Sequence, residues 1–460
     1  MFKRKLNRIE TIALSVAVIA MMVGISLNTP FIAGTAGASV PLTFVISTIG
    51  VLCIALSFVR LASKVGHAGS VYGLIYYAKS RNFGFIAGWA ILLTYAVFVT
   101  AALCGFGLFA SGLLSPVLDL PWPVYAIACL FLVWFIIDRD IKLSTRLLLT
   151  IELFSVTLVL ILSVIIVAAK PFTLAPFHVG ATGIGGLSQG LVFGVLTFVG
   201  FEAASSVGEE ANNPVRDVPF AIITTVLVAG AFFTFVGYAQ TVGYGLNNIT
   251  KFASAAAPFT YLAPRYAGVP MSELIQFGAL VSTFAMAVGS AAAAARLLLA
   301  LARDGFLPAR LASVNKYGSP RVSGNLVMVG NLVLLAALVA WHNNASDLYG
   351  YTGTLATLTV LIAYSMMNIA SFARFTKADL QAGRWYMPVP PIIGLILAAY
   401  ALFANIYPVP AFPFNYLPYI AIAYMAVGGL VLLNSRRLVH HVDMAQYEFA
   451  DVSEGMKEIP

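Results

Sequence analysis

Charged residues are scarce in this sequence. Only 10% of its 460 residues are Asp, Glu, Lys or Arg, whereas 60% are hydrophobic and the mean hydropathy is +0.92. A water-soluble protein of this length needs more charge to cover its surface, so a soluble globular fold is excluded. The apolar residues form runs of about 18–30 residues, long enough to cross a hydrocarbon core roughly 30 Å thick. Because alternating ten-residue strands are absent from the sequence, it predicts a helical membrane protein.

Cysteine and histidine are also rare. Cys53, Cys104 and Cys129 lie in apolar runs, so the sequence predicts neither a disulfide framework nor a CxxC metal site. The five histidines show no ligand-like spacing, and His440 and His441 belong to a polar tail. The sequence contains no nucleophile–base arrangement and no Gly-rich phosphate loop. We therefore predict no metal, no cofactor and no enzymatic activity.

The apolar runs divide the chain into twelve predicted membrane spans. The first run lacks an A-x-A-like cleavage site, so we expect it to stay as an uncleaved span. The twelve spans are residues 11–32, 39–62, 83–113, 122–138, 145–169, 186–208, 218–243, 271–302, 323–341, 349–374, 389–406 and 413–435.

The 26 Lys and Arg residues, which give a formal net charge of +8, are unevenly distributed. With twelve spans and the N-terminus inside, only Lys170, Lys251 and Arg265 fall on the outer side, which leaves 26 − 3 = 23 on the cytoplasmic side. This is the positive-inside pattern of membrane proteins, not a nucleic-acid-binding patch. We therefore predict an inner-membrane protein whose ends, residues 1–10 and 436–460, are both cytoplasmic.

Two spans are interrupted in corresponding places. The first contains MMVGISLNTP at 21–30, and the sixth contains FVGFEAASSVG at 198–208. Irregular backbone at membrane depth is tolerated only where protein covers it or water lines it. A matched pair of this kind predicts an inverted repeat with a binding site at the breaks. The alternative is that the small residues only permit close packing of helices.

Four motifs resemble the amino acid–polyamine–organocation (APC) superfamily of transporters. They are EEANNPVRDVP at 209–219, ARDGFLP at 302–308 followed by SPRVSGN at 319–325, HAGSVYGLIYYA at 67–78, and NFGFIAGW at 82–89. The resemblance implies an all-α polytopic fold of two inverted five-helix repeats, at 11–169 and 186–374, with two further helices at 389–435. It also implies that the first and sixth spans are unwound midway, with the substrate between them. Of the superfamily's Gly-x-(Ile)-Gly-x-Gly run in the first span, this chain keeps only Gly24.

Broken helices offer a site for a zwitterion. The N-terminus of a half-helix presents unpaired N–H groups to an anion, whereas the C-terminus of a half-helix presents partial negative charge to an ammonium group. A free amino acid complements both ends at once. The predicted substrate-binding residues are Val23, Gly24, Ile25 and Ser26 in the first span and Phe198, Val199, Gly200 and Phe201 in the sixth.

Two carboxylates, Glu202 and Glu152, lie at some depth within predicted spans, where ionisable groups are usually functional. We consider both as coupling residues that take up a proton during transport. The alternative for Glu202 is a structural role, in which it accepts hydrogen bonds from amides freed at the breaks. The alternative for Glu152 is an ion pair with a cytoplasmic arginine such as Arg146. Glu152 looks like the position at which some proton-coupled members of the superfamily have a lysine. A glutamate there reverses the charge.

Hydroxyl groups on the eighth span suggest a sodium site. Sodium-coupled members of the fold supply ligands there, and Ser282, Thr283 and Ser290 are the corresponding candidates. Serine and threonine in membrane helices more often bond to their own backbone. Sodium is therefore the less favoured coupling ion.

Together these features predict a secondary transporter that moves an amino acid or a related small amine by alternating access, with proton coupling or exchange. The first and sixth spans would rock against a scaffold of the third, fourth, eighth and ninth. A polyamine or ethanolamine-like cation is the alternative substrate, favoured by two buried acids. The alternative of another class is a non-transporting membrane sensor or scaffold, which would need a soluble domain.

Overall fold

The computed structural model is a bundle of α-helices, and the residues that it describes, 12, 16, 19–62, 71–139, 145–202, 213–342, 344–375, 379 and 385–435, contain no strand. A π-helix at Gly24–Asn28 follows the first α-helix, and four short 3-10 helices lie in the connections among these residues. The α-helices are α1 (Met21–Val23), α2 (Thr29–Ala36), α3 (Val40–Ala62), α4 (Val71–Ala78), α5 (Arg81–Leu114), α6 (Trp122–Asp138), α7 (Thr145–Ala168), α8 (Gly183–Leu196), α9 (Pro214–Tyr244), α10 (Ile249–Ala253), α11 (Pro258–Tyr266), α12 (Val269–Arg303), α13 (Arg321–Trp341), α14 (Ala345–Ala373), α15 (Val389–Ala404) and α16 (Leu417–Ser435).

Within the described residues, seven helices are long and apolar enough to cross a membrane. They are Val40–Ala62, Arg81–Leu114, Arg216–Tyr244, Val269–Arg303, Arg321–Trp341, Ala345–Ala373 and Phe414–Ser435. Shorter apolar helices, at Trp122–Asp138, Glu152–Ala168, Gly183–Leu196 and Val389–Ala404, lie at four other predicted spans. The all-helical membrane class is thus confirmed, whereas the count of twelve spans and the inverted repeat stay predictions.

Helix α5 lies at the centre of the bundle and is held there by buried polar contacts. Thr94 Oγ1 lies 2.9 Å from Thr359 Oγ1 of α14, and Thr100 Oγ1 donates to Asn331 Oδ1 of α13 at 2.6 Å. Where α5 meets α12, Gly105 leaves no room for a side chain, since a Cβ there would lie 2.9 Å from Thr283 Cγ2. Hydroxyl pairs and small residues of this kind stabilise helix packing in a membrane, where the hydrophobic effect does not drive helices together.

One end of the bundle, which we call the basic end, carries Arg60, Arg81 and Arg374 at the ends of α3, α5 and α14. Arg60 donates to the carbonyl of Arg374 at 3.2 Å, and Arg374 Nε donates to the carbonyl of Ala78 in α4 at 2.6 Å. The Arg81 guanidinium donates to the Asp304 carbonyl at 2.5 Å. The short helix expected within 67–78 is confirmed for 71–78, and its first four residues lie outside the described residues.

Candidate functional site

The first predicted interruption is a π-helix that follows a sharp turn. Ala20 adopts a left-handed conformation, with φ 50° and ψ 59°, directly before α1. Gly24–Asn28 then forms a π-helix and stays fully buried. The interruption was expected within 21–30, where the π-helix lies, and the left-handed residue precedes this range by one position. Left-handed alanine is strained, and π-helical segments are frequent at functional sites.

Glu152 of α7 binds the backbone at this turn. The Met22 N–H donates to Glu152 Oε1 at 2.9 Å, and both groups are buried. Met22 is the second residue of α1, and the first N–H groups of a helix have no partner within that helix, so the Glu152 carboxylate satisfies this one. The ion pair considered with Arg146 stays untested, because the Arg146 side chain lies outside the described residues.

The hydroxyl groups proposed as sodium ligands lie next to Glu152 on α12. Ser282 faces the Glu152 carboxylate, but its hydroxyl makes no hydrogen bond of ordinary geometry to the described residues. Thr283 Oγ1 donates to the carbonyls of Ala279 and Leu280, at 3.0 and 2.7 Å. Thr283 therefore makes the backbone contacts of the alternative interpretation, while Ser282 stays a candidate ligand.

The second predicted interruption is a true helix end. Helix α8 stops at Leu196, and a turn continues through Glu202, with Phe198 N–H donating to Val195 O at 3.0 Å. Gly200 has φ 110°, a conformation that side-chain-bearing residues rarely adopt. Residues 203–208 of the predicted span, and the first part of the EEANNPVRDVP motif, lie outside the described residues.

Glu202 is the centre of a buried hydrogen-bond cluster. Its Oε2 accepts from the Tyr364 hydroxyl at 2.8 Å and from the Gly200 N–H at 3.1 Å. Its Oε1 accepts from the Tyr95 hydroxyl at 3.2 Å. The cluster therefore joins the turn after α8 to α5 and α14. The bond from Gly200 is the contact that a structural role predicts, and the tyrosines were not foreseen.

The two interrupted segments meet at Gly24 and Thr197. A Cβ on Gly24 would lie 2.6 Å from Thr197 Cγ2, so the π-helix packs directly on the end of α8. Asn28 Nδ2 donates to Thr197 Oγ1 at 3.0 Å, and the Tyr349 hydroxyl donates to Asn28 Oδ1 at 3.0 Å. The π-helix, which contains Gly24, Ile25 and Ser26 of the first predicted set, thus contacts Thr197, the residue directly before the second set.

The predicted substrate-binding residues are buried. Val23, Ile25, Ser26, Phe198, Val199 and Phe201 are each at most 3% exposed. Gln240 of α9 donates from Nε2 to the Ile25 carbonyl at 3.1 Å. The Ser26 hydroxyl and the Gln240 Oε1 are buried without a hydrogen-bond partner among the described residues. Both atoms lie beside the π-helix.

Sequence reasoning missed Asn28, Thr197, Gln240, Tyr95 and Tyr364. Polar side chains inside apolar spans were the available signal, since such residues tend to face the interior of a bundle. Asn28 even stands in the MMVGISLNTP segment. The signal does not say which of these residues meet, because their contacts join helices that are far apart in the chain.

Residues 6–430 match the sequence profile of the amino acid permease family, and the chain belongs to this family. It is therefore a multi-pass transporter of the cell membrane in the APC superfamily, not an enzyme, and the sensor or scaffold alternative is not supported. The chain is 27% identical to the branched-chain amino acid permease of Lactococcus lactis subsp. cremoris, over 78% of this chain and 79% of that protein. It is 28% identical to the branched-chain amino acid permease of Bacillus subtilis, over 86% of each. It is also 25% identical to the methylthioribose transporter of Bacillus subtilis, over 90% of each.

Proposed function

We propose that this permease moves a neutral, apolar amino acid by alternating access, and that Glu202 carries the coupled proton. The observation on which this rests is the buried carboxylate of Glu202, held by tyrosines of two other helices beside the contact between the π-helix and the end of α8.

The proposal of an apolar amino acid rests on the side chains of the π-helix and of the turn after α8. Ile25, Phe198 and Phe201 supply apolar side chains, and Phe198 packs edge-on against Phe233 with ring centroids 5.2 Å apart. The unpaired Ser26 hydroxyl and Gln240 Oε1 supply polar contacts for the charged groups that all amino acids share. The names of two relatives, both branched-chain amino acid permeases, agree with an apolar side chain.

Proton coupling follows from where the hydrogen-bond donors to Glu202 come from. A carboxylate is stabilised in its charged form by the hydrogen bonds that it accepts. Tyr95 belongs to α5 and Tyr364 to α14, whereas Glu202 lies on the turn after α8. A rocking movement of that turn against α5 withdraws the tyrosine hydroxyls. An anion at this depth then loses its stabilisation and takes up a proton instead.

The movement itself is proposed to follow the inverted repeat. Residues 11–169 and 186–374 form the two halves, and 389–435 the two added helices. The segments around Gly24 and Thr197 rock together against α5, α6, α12 and α13. The 23-to-3 division of basic residues supports cytoplasmic termini for this arrangement.

Initial rates of leucine uptake into liposomes, measured between about pH 5 and 8, test the coupling role. Glu202→Gln keeps the size of the side chain and an oxygen that accepts from Tyr364, but it cannot titrate. We expect its uptake rate to lose its pH dependence while leucine binding stays measurable. Tyr364→Phe is the matched control: it removes one donor and keeps the carboxyl group, so it should shift the pH profile without flattening it. A Glu202→Gln profile with the wild-type shape would contradict the proposal and leave Glu202 a structural residue.

A polyamine or ethanolamine-like cation is the second candidate substrate, because Glu152 and Glu202 are both buried carboxylates beside the site. Competition separates the two. Excess unlabelled leucine should inhibit uptake of labelled leucine, whereas putrescine and ethanolamine should not. Inhibition by the amines alone would assign the site to an organic cation.

A further inference from the structure

A polar cavity opens at the basic end, away from the proposed substrate site. Its volume is about 550 Å³, and it lies between the end of α6 and the connection from α12 to α13. Arg139, Lys316 and Arg321 line it together with one acid, Asp138, so its formal charge is 3 − 1 = +2. The cavity is thus suited to an anionic group.

A second cavity continues from the first along the outside of the helices. Its volume is about 320 Å³, and it shares Asp138 and Arg321 with the polar cavity. The remaining lining consists of Phe131, Trp134 and Phe135 of α6 with Asn325 of α13. Phe131 and Phe135 are 53% and 48% exposed, so this aromatic groove lies on the outside of the bundle.

Hydrogen bonds hold the walls of the polar cavity in place. Asn315 Nδ2 donates to the Asp138 carbonyl at 2.6 Å, and the Ser319 hydroxyl donates to the Ile137 carbonyl. Arg321 Nε lies 3.6 Å from Asp138 Oδ1. In the groove, Trp134 Nε1 donates to Asn325 Oδ1 at 2.8 Å. The connection between α12 and α13 is therefore fastened to α6, and the two cavities form one preshaped surface.

We propose that this surface binds one anionic phospholipid from the leaflet at the basic end. The phosphate of the headgroup lies in the polar cavity among Arg139, Lys316 and Arg321, and an acyl chain lies along Phe131 and Phe135. The Arg139 guanidinium supports this geometry, since it lies 4.3 Å from the centroid of the Phe135 ring, at the junction of the cavities. Basic residues beside an apolar membrane surface attract anionic lipids, whereas a zwitterionic headgroup brings no net charge to balance +2.

Trp134 reports directly on the groove, because brominated acyl chains quench tryptophan fluorescence on contact. The purified full-length protein is placed in vesicles that contain brominated phosphatidylglycerol or brominated phosphatidylcholine. The contribution of Trp134 is the difference between the wild type and Trp134→Phe. We expect stronger quenching of Trp134 by phosphatidylglycerol than by phosphatidylcholine, and no effect of added inorganic phosphate on that preference.

Arg139→Gln/Lys316→Gln removes two cations and keeps the Arg321–Asp138 pair. Each cation at a membrane surface strengthens binding of an anionic lipid about fivefold, so the preference should fall about 25-fold. The matched control is Lys79→Gln/Arg303→Gln, which removes two cations from the same end but outside both cavities, and it should keep the wild-type preference.

Three results would overturn the proposal. Equal quenching by the two lipids would show that the headgroup is not recognised. Loss of the preference on addition of inorganic phosphate would show a site for a free anion. Quenching by neither lipid, with cross-linking of two copies through Phe131→Cys, would show that a second copy of the chain covers the groove. The substrate uptake measured for Glu202→Gln does not bear on any of these outcomes.

Discussion

At the scale of single residues, Gly24 is important because it has no side chain. Alanine in a helix is ordinarily about 1 kcal/mol more favourable than glycine. At Gly24 the added Cβ would lie 2.6 Å from Thr197 Cγ2, a distance that requires the Thr197 side chain or one of the two segments to shift. Gly34, on the same span, would place its Cβ 3.7 Å from Ala253 Cβ, an ordinary contact. The two glycines thus form a natural pair for comparison.

We expect Gly24→Ala to lower the rate of uptake strongly and Gly34→Ala to leave it near the wild-type value. Thr197→Ser removes the methyl group but keeps the hydroxyl that accepts from Asn28. The double variant Gly24→Ala/Thr197→Ser should therefore recover uptake. Initial rates in liposomes at matched protein amounts measure this. Failure of Thr197→Ser to rescue, together with full activity of Thr197→Ser alone, would show that the Gly24–Thr197 contact does not limit transport.

Glu152 is expected to act through the Met22 amide. Glu152→Gln keeps an oxygen at the acceptor position, whereas Glu152→Leu leaves the buried N–H without a partner, which costs about 1–3 kcal/mol. Glu152→Leu should therefore lower the free energy of unfolding and the Tm of the detergent-solubilised protein, and Glu152→Gln should lower them much less. Equal loss in both variants would mean that the negative charge, not the hydrogen bond, is required. If Glu152→Gln flattens the pH profile of uptake instead of Glu202→Gln, Glu152 is the coupling acid.

At the scale of elements, the end of α8 differs from an ordinary helix end. The helix has only 14 residues, and the chain continues as a turn that carries Phe198, Phe201 and Glu202. Gly200 makes the turn possible, because its φ of 110° would strain any residue with a side chain by about 1–3 kcal/mol.

We expect Gly200→Leu to abolish uptake while the protein reaches the membrane at a near-normal level. The leucine side chain both strains the turn and adds bulk at the proposed binding site. Surface expression and uptake are measured together in cells. Unaltered uptake would show that the turn after α8 is not the binding site, and absence of protein from the membrane would call for the smaller change Gly200→Ala.

At the scale of the whole molecule, the proposed orientation can be tested with cysteine labelling. Residues 60–82, 303–322 and 438–460 should lie in the cytoplasm, and 244–270 outside. In a variant without Cys53, Cys104 and Cys129, Asn247→Cys should react with an impermeant thiol reagent in intact cells. Ala309→Cys should react only after the cells are opened. Strong labelling at Ala309→Cys in intact cells would invert the orientation.

Composition and local pattern were enough to predict the helical class and the positions of the long helices, and they marked two irregular segments, 21–30 and 198–208. The length of an apolar segment and the Lys and Arg residues beside it are local properties of the sequence. They determine whether and in which direction that segment crosses the bilayer. Gly200 could be recognised in the same way, because few residues other than glycine fit an irregular turn at membrane depth. The family motifs added the superfamily and its transport activity, which the family match confirms.

Only the tertiary structure shows which residues from distant parts of the sequence contact each other. Glu202 contacts Tyr95 and Tyr364, which lie 107 and 162 residues from it in the sequence. Glu152 contacts Met22, which lies 130 residues from it. The same packing brings the Glu152 carboxylate to the Met22 amide, close after the left-handed Ala20. A single sequence carries no local signal for such pairs, because each depends on which helix faces are brought into contact.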